Sequence, residues 1–428
     1  MANTAKLIEA LNHPETEAIF AKLYGKGNVV PQQIRYRQLL LKFEAAFPGR
    51  EEVELFSAPG RIEVGGNHTD HNAGRVLAAT VDLDALAAVS RNGNGLIRVH
   101  SEGYPPLIVR TTELEPVEGE KHTSTALVRG VCARLARLGY SVGGFEACIT
   151  SNVLKGSGLS SSAAFEILIT TIFNHLYNRG EIDPILLAQV GQFAENQYFG
   201  KPCGLMDQTT SVVGGFVTID FQDFTRPRVK KVEFDFASSG FALVIVDTGG
   251  SHADLTDDYA ALPAEMKQVA GFFGGKVLRE ISRERIIEAL PQLRGKVSDR
   301  AILRALHFFA DDQRVVDQVE ALEQNDFPRF LRLVVESGHS SSMLAQNSYT
   351  TRRVDQQGVS LALAVSELIL KGRGAWRVHG GGFAGTIQAF VPHEILTAYV
   401  SRMRAIFGEK SCYVLMIRPL GAGRVDIK

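Results

Sequence analysis

The chain has 428 residues, 45% of them hydrophobic, with 46 Lys and Arg against 47 Asp and Glu. That length is enough for about two domains with sizeable cores. A near-neutral chain with no basic tract excludes a nucleic-acid or anionic-membrane surface as its main partner. The first thirty residues carry Glu9, Asn12, His13, Glu15 and Glu17 instead of an apolar signal core, and nowhere is an apolar run long enough to span a bilayer, so a soluble, cytoplasmic protein is expected. Cys132, Cys148, Cys203 and Cys412 lie far apart with no C-x-x-C pair, and are read as reduced thiols.

Taken in order, residues 5–50 read as helical, interrupted at Pro31 and ended by Pro48-Gly49. Alternation over Val53 to Ser57 predicts a strand, and Ala58-Pro59-Gly60 is expected to turn the chain into a second extended piece around Ile62 and Val64. Val76 to Val89 and Ile97 to Val99 continue the sheet. Ala126 to Leu138 repeats Leu127, Val131, Leu135 and Leu138 at helical spacing, and Gly139 closes it. Phe145 to Thr150 returns to strand, Ala163 to Tyr177 is a buried helix, and Asp183-Pro184 opens a helix reaching Phe199. After Gly214-Gly215 comes the apolar strand Phe241 to Val246. Helices over 282–290, 302–309, 317–325 and 354–371 then mix with strands near 376–378, 386–390 and 414–416. The domain boundary falls near residue 220.

Gly156-Ser157-Gly158-Leu159-Ser160-Ser161-Ser162 lies between a strand and a helix, where backbone amides and a helix N-terminus can hold phosphate. The lysine of a Walker A loop is missing, and the glycines and serines alone fit a capped helix after a flexible turn equally well. Arg61, Asn67, His68, Asp70, His71 and Asn72 crowd one non-helical stretch, a density of donors and acceptors suited to a polyhydroxyl ligand. A polar turn, or less readily a metal at His68, Asp70 and His71, would give the same residues. Gly380 to Gly385, before the strand Thr386 to Phe390, fits close backbone packing or a ligand approach. Asp207 and Glu195 place two carboxylates around one loop, able to divide metal binding and proton handling, although spacing leaves Glu195 open as a solvated helix residue.

Taken together, Ser57 to Asn72, Gly156 to Ala164, Cys203 to Gln208 and Gly380 to Gly385 resemble, in order, the motifs of the GHMP small-molecule kinases, and within them the galactokinases. The resemblance runs from about Tyr36 to the C-terminus. It implies an α+β fold of two domains, 36–220 and 221–428 behind an N-terminal extension 1–35, with the active site in the cleft between them. It also implies transfer of the γ-phosphoryl group of ATP to the anomeric hydroxyl of a sugar, most readily galactose, with ATP and Mg²⁺ required and no partner beyond a small-molecule sugar and a monomer or weak homo-oligomer.

By position, Asp207 is then the catalytic carboxylate that orients the hydroxyl, and Arg61 the cation beside it. Ser162 and Glu195 hold Mg²⁺. Gly156, Ser157, Gly158, Leu159, Ser160, Ser161 and Ser162 wrap the phosphates, with Ser101 touching the nucleotide. Asn67, His68, Asp70 and Tyr259 grip the sugar, Tyr259 through its seven-residue separation from His252.

The chain departs from the family pattern in reading Gly66-Asn67-His68 where Gly-Glu-His is usual, and Glu63 where Asn is common. A neutral Asn67 removes a charge that would repel a C6 carboxylate, so galacturonate competes with galactose as the substrate. A non-catalytic sugar and ATP sensor would fit the same sugar segment, but Ser162-Ala163-Ala164, Arg61 and Asp207 all stand against it. A sibling kinase for mevalonate or homoserine would lack the His-Thr-Asp segment.

Overall fold

The computed structural model describes residues 2–154, 158–250 and 255–427. Its larger sheet has eight strands and its smaller one four. The strand Arg75–Arg91 is the spine of the larger sheet. It pairs antiparallel with Glu54–Gly65 along its length, with Phe216–Asp220 at its start and with Phe145–Ser151 at its end.

Both faces of this sheet are covered, which explains why its strands read as apolar runs instead of clean alternation. Phe56, Ala58, Ala85, Ala87 and Ile149 face a core built with the helices Ser124–Arg137, Ser161–Asn178 and Pro184–Ala194. On the other side, Leu55, Leu86, Ala88 and Cys148 meet Leu7, Phe20, Leu23, Leu40 and Phe43 from the helices Thr4–Ala10, Pro14–Tyr24 and Val29–Ala46. Residues expected as an extension thus cover one face of the sheet. Pro31 sits in the first turn of Val29–Ala46, where its missing N–H costs no helical bond.

The expected turn at Ala58-Pro59-Gly60 is corrected. Glu54–Gly65 is one continuous strand, and the disturbance is a shift of register between Pro59 and Arg61. A bulge absorbs the proline and re-aims the next side chain without reversing the chain. The two helices expected over 302–325 are likewise one, Asp299–Glu323, and Asp311 and Asp312 in its middle accept hydrogen bonds from outside the helix. Beyond residue 220, Arg228–Val232 still pairs with Phe216–Asp220, and Gly423–Arg424 returns to pair with Glu54–Gly65. The smaller sheet, Cys412–Leu415, Phe241–Asp247, Thr386–Pro392 and Ala375–Val378, is wholly antiparallel.

Between sheet and N-terminal helices lies a buried polar knot. Asp84, wholly buried, accepts from Tyr24 Oη at 2.7 Å and from Arg35 Nη1 at 2.6 Å, with Arg418 Nη1 at 3.3 Å. Burial by itself would raise the Asp84 carboxyl, but the two arginines and the hydroxyls of Ser57 and Tyr24 outweigh it and hold it below its ordinary value. Asp84→Asn strands Arg35 and Arg418 without a counter-charge. It is expected to lower the unfolding free energy by about 3–5 kcal/mol in urea titrations; a loss under about 1 kcal/mol would mean that water reaches the knot.

Candidate active site

Arg61 follows the register shift. Gly60 has no room for a side chain, since a Cβ there would lie 2.9 Å from the Leu159 carbonyl oxygen and 3.0 Å from Val153 Cγ1. This close approach lets Arg61 N donate to Leu159 O at 3.1 Å. The guanidinium of Arg61 then holds Asp207 with two prongs, Nε to Oδ1 at 2.7 Å and Nη2 to Oδ2 at 2.6 Å, while Nη1 donates to the Gly158 carbonyl. Asp207 lies in the first turn of the helix Met206–Val213, its side chain 29% exposed and so within reach of a ligand.

Ser160, at φ 56° and ψ 63°, is in the left-handed region and donates its hydroxyl to Asp207. A serine at this position ordinarily caps the helix that follows. Here the hydroxyl is committed elsewhere and Ser161–Asn178 has no side-chain cap, which leaves first-turn amides and the positive end of the helix dipole open to an anion. Next to it opens a cavity of about 670 Å³, into which Ser101, Ser161 and Ser162 project beside Leu107, Leu127 and Phe165. Apolar walls with a few hydroxyls suit a nucleotide base and ribose. Leu159 points into the core instead. Gly156, Ser157 and His252 lie outside the described residues.

Glu195 is 2% exposed, so it is no solvated helix residue. It starts a π-helical turn, Glu195–Phe199, at the end of Pro184–Ala194, a local widening that recurs at functional sites. Gln208 Nε2 donates to Glu195 Oε2 at 3.2 Å and to Glu166 Oε2 at 3.0 Å, and Lys201 Nζ is 3.3 Å from Glu195 Oε1. Glu166 Oε1 and Gln208 Oε1 are buried with no partner. Burial, reinforced by Glu195 and Asp207, pushes the Glu166 carboxyl well above the usual carboxylate range. The unpartnered Gln208 oxygen beside the buried Glu195 carboxylate is a set of oxygen donors that a hard cation such as Mg²⁺ would fit, with Glu195 and Ser162 the residues that would hold it.

His68 and Tyr259 gather around the glycine segment. His68, at φ 59°, has Nε2 at 3.0 Å from Gly381 O, and Tyr259 Oη donates to Gly382 O at 3.0 Å while its ring meets Phe383 edge-on. Asp70 faces the loop that leads to Asp207, since a Cβ on Gly204 would be 3.3 Å from Asp70 Oδ2.

Asn67 is placed otherwise. It is wholly buried; its Nδ2 donates to Glu63 Oε1 and Gly380 O, both at 2.9 Å, and its Oδ1 accepts from Asn347 at 2.8 Å and Ser341 at 3.2 Å. Every hydrogen-bonding position of that amide is therefore used within the protein. Glu63 in turn pairs with Arg377 at 2.9 Å.

Sequence reasoning missed Glu166, Gln208 and the pair Asp311-Asp312. Glu166 had a signal, a lone carboxylate in an otherwise apolar helix. The aspartates clamp both ends of the sugar segment from a distant helix, Asp311 Oδ2 accepting from Asn67 N at 2.8 Å and Asp312 Oδ1 from Arg75 N at 2.7 Å, and nothing local announced that.

Burial first, then the nearby charges of His71, His307 and Arg304, pushes His68 down to about 3. Its unfolded imidazole titrates near about 6.5, so between those values the unfolded chain binds more protons and stability falls as pH falls. At about pH 5 the loss is roughly 2 kcal/mol from this residue. His68→Gln, which cannot charge, is expected to show a smaller drop in Tm between about pH 7 and pH 5 than the parent protein; equal drops would assign the acid sensitivity to other groups.

With this geometry in view, the comparisons with known proteins agree on one family. The galactokinase galactose-binding signature matches residues 41–91, and the GHMP kinase N-terminal domain matches residues 126–215. A galactokinase of Streptomyces coelicolor is 33% identical over 351 residues, 80% of this chain and 86% of that enzyme. The crystal structure of Lactococcus lactis galactokinase complexed with galactose superposes with a TM-score of 0.74 at 26% identity, covering 89% of this chain and 97% of that one. Methanococcus jannaschii mevalonate kinase, at 14% identity and a TM-score of 0.60 over 86% of this chain and 98% of its own, shares the fold. The chain belongs to the galactokinase family of GHMP kinases.

Proposed function

We infer that the protein is an ATP-dependent kinase that transfers the γ-phosphoryl group of ATP to the anomeric hydroxyl of galactose. The observation that carries this reading is the two-pronged Arg61–Asp207 pair, tied to Gly158 and to Ser160, whose neighbours Ser161 and Ser162 line a nucleotide-sized cavity. The galactose-binding signature over residues 41–91 supports the sugar, because it spans Arg61, His68 and Asp70.

Phosphoryl transfer asks a protein mainly for alignment and charge neutralisation. In this reading Asp207 accepts a hydrogen bond from the anomeric hydroxyl, directs its oxygen at the phosphorus and takes the proton late. Arg61 keeps Asp207 in place and offsets negative charge that develops between sugar and nucleotide. The open first turn after Ser160, together with residues 156–162, binds phosphate oxygens, and Ser101 lies on the base and ribose side. Ser162 and Glu195 hold Mg²⁺, which when bound neutralises phosphate charge. Glu166 and Gln208 keep Glu195 in position. His68, Asp70 and Tyr259 bind sugar hydroxyls, whereas Asn67 shapes the loop that presents them. We place the activity in the cytoplasm and assign it to a monomer or weak homo-oligomer.

The test is a coupled ADP assay with galactose, galacturonate, galactosamine and arabinose. Galactose is the expected substrate, and turnover of galacturonate alone would sink the assignment. Asp207→Asn is expected to lower kcat by about 10²–10⁴-fold with folding intact; near-normal turnover would remove Asp207 from the chemistry. Ser162→Ala is expected to raise the Mg²⁺ concentration needed for half-maximal rate, and an unchanged requirement would place the metal elsewhere. Tight binding of galactose and ATP by the parent protein without ADP release would identify a sensor instead.

A further inference from the structure

A second cavity, of about 810 Å³, shares no lining residue with the nucleotide cavity. The helix Phe327–Ser340 forms one wall with Leu331 and Val335, and Trp376, in the edge strand Ala375–Val378, lies opposite. The lining is mostly apolar, yet its rim is charged, and the charges do not cancel. Glu367 is paired with Lys371 at 3.3 Å, and Glu336 with Arg314 at 3.6 Å. The exposed guanidiniums of Arg332 and Arg373 have no carboxylate partner among the described residues. An apolar pit with unpaired cations at its mouth is complementary to a molecule with an apolar body and an acidic head.

The cavity is also mechanically close to the sugar segment. Gly338 lets the wall helix touch the strand directly, since a Cβ there would lie 2.9 Å from Trp376 O and 3.0 Å from Arg377 Cβ. The residue after Trp376 is Arg377, which reaches Glu63 at 2.9 Å and Val64 O at 2.7 Å. The wall helix itself runs into the π-helical turn Ser341–Ala345, where Ser341 Oγ donates to Asn67 Oδ1 at 3.2 Å. The helix side of the cavity therefore ends on the loop that carries His68 and Asp70, and the strand side on the residues just before it, where Glu63 in turn accepts from Asn67. Because packed interiors shift between discrete arrangements and do not deform continuously, a wedge between helix and strand is passed on to that loop.

We propose that this cavity is a binding site for an amphipathic organic anion, its apolar body against Leu331, Val335 and Trp376 and its acidic group on Arg332 and Arg373, and that occupancy changes the affinity of the sugar site. The binding half stands on the cavity alone. The coupling half rests on the sugar-binding reading above.

Anilinonaphthalene sulfonate, two apolar ring systems bearing one anionic group, serves as the probe in a fluorescence titration of the full chain. A saturable site is expected that saturating ATP does not displace. The exposed-residue variant Arg332→Glu/Arg373→Glu is expected to bind the probe about tenfold more weakly with an unchanged Tm. Equal affinity in that variant, or displacement by ATP, would overturn the site. The galactose dissociation constant, measured by calorimetry with and without saturating probe, is expected to shift about threefold or more in the parent and not in the variant. Binding of the probe with no such shift would leave a site but overturn the coupling, and failure of galactose to bind in either state would overturn the sugar reading and leave the site standing.

Discussion

The ion pair between Arg61 and Asp207 is the constraint on which the rest of the site depends. It joins a strand to the first turn of a distant helix, and the same arginine holds the segment before Ser161–Asn178 by its backbone amide to the Leu159 carbonyl and its side chain to the Gly158 carbonyl. The register shift at Pro59 exists to aim that side chain, and Gly60 exists to let the loop come close. Because Asp207 also takes the Ser160 hydroxyl, the helix Ser161–Asn178 is left without a cap. That unmet hydrogen-bonding demand, which would be a defect elsewhere, is what the proposed function uses to bind phosphate.

The sugar side is built by the opposite logic, with demands met to excess. The segment from Gly66 to Gly74 is held at its start by Asp311 on Asn67 N and at its end by Asp312 on Arg75 N. His68 and Tyr259 fasten the glycine segment by successive carbonyls, those of Gly381 and Gly382. Short polar residues in a non-helical stretch would otherwise sample many conformers, and the clamps remove that freedom before a ligand arrives, so that less ordering remains to be done on binding.

How much of this was legible follows from how local each feature is. The helix opened by Asp183-Pro184 and most of the strands are set by neighbours in sequence, and their residues announce them, whereas the glycines and serines of 156–162 fit a capped helix as well as a phosphate loop. The Ala58-Pro59-Gly60 stretch misled because proline and glycine mark both turns and bulges, and only pairing with Arg75–Arg91 separates the two. The roles of Asp311 and Asp312 were not legible because their partners, Asn67 and Arg75, are more than two hundred positions away. What the N-terminal helices pack against was not legible for the same reason. Their core exists only once Leu55, Leu86 and Ala88 present the far face of a sheet.

Asn67 shows what changes when such distant partners are known. Read along the sequence, a neutral residue at that position removes a negative charge from the sugar site and opens it to a carboxylated sugar. In the fold, the charge has not left. Glu63 Oε1 lies 2.9 Å from Asn67 Nδ2, and its charge is matched by Arg377 at 2.9 Å. Asn67 itself has no free donor or acceptor to offer a ligand. A preference for a C6 carboxylate would need an unmatched cation facing that group, and the arginine of this cluster is already spent on Glu63 and the Val64 carbonyl. The substitution at Asn67 is therefore an adjustment of internal support, and in the function proposed above the sugar is left to His68, Asp70 and Tyr259.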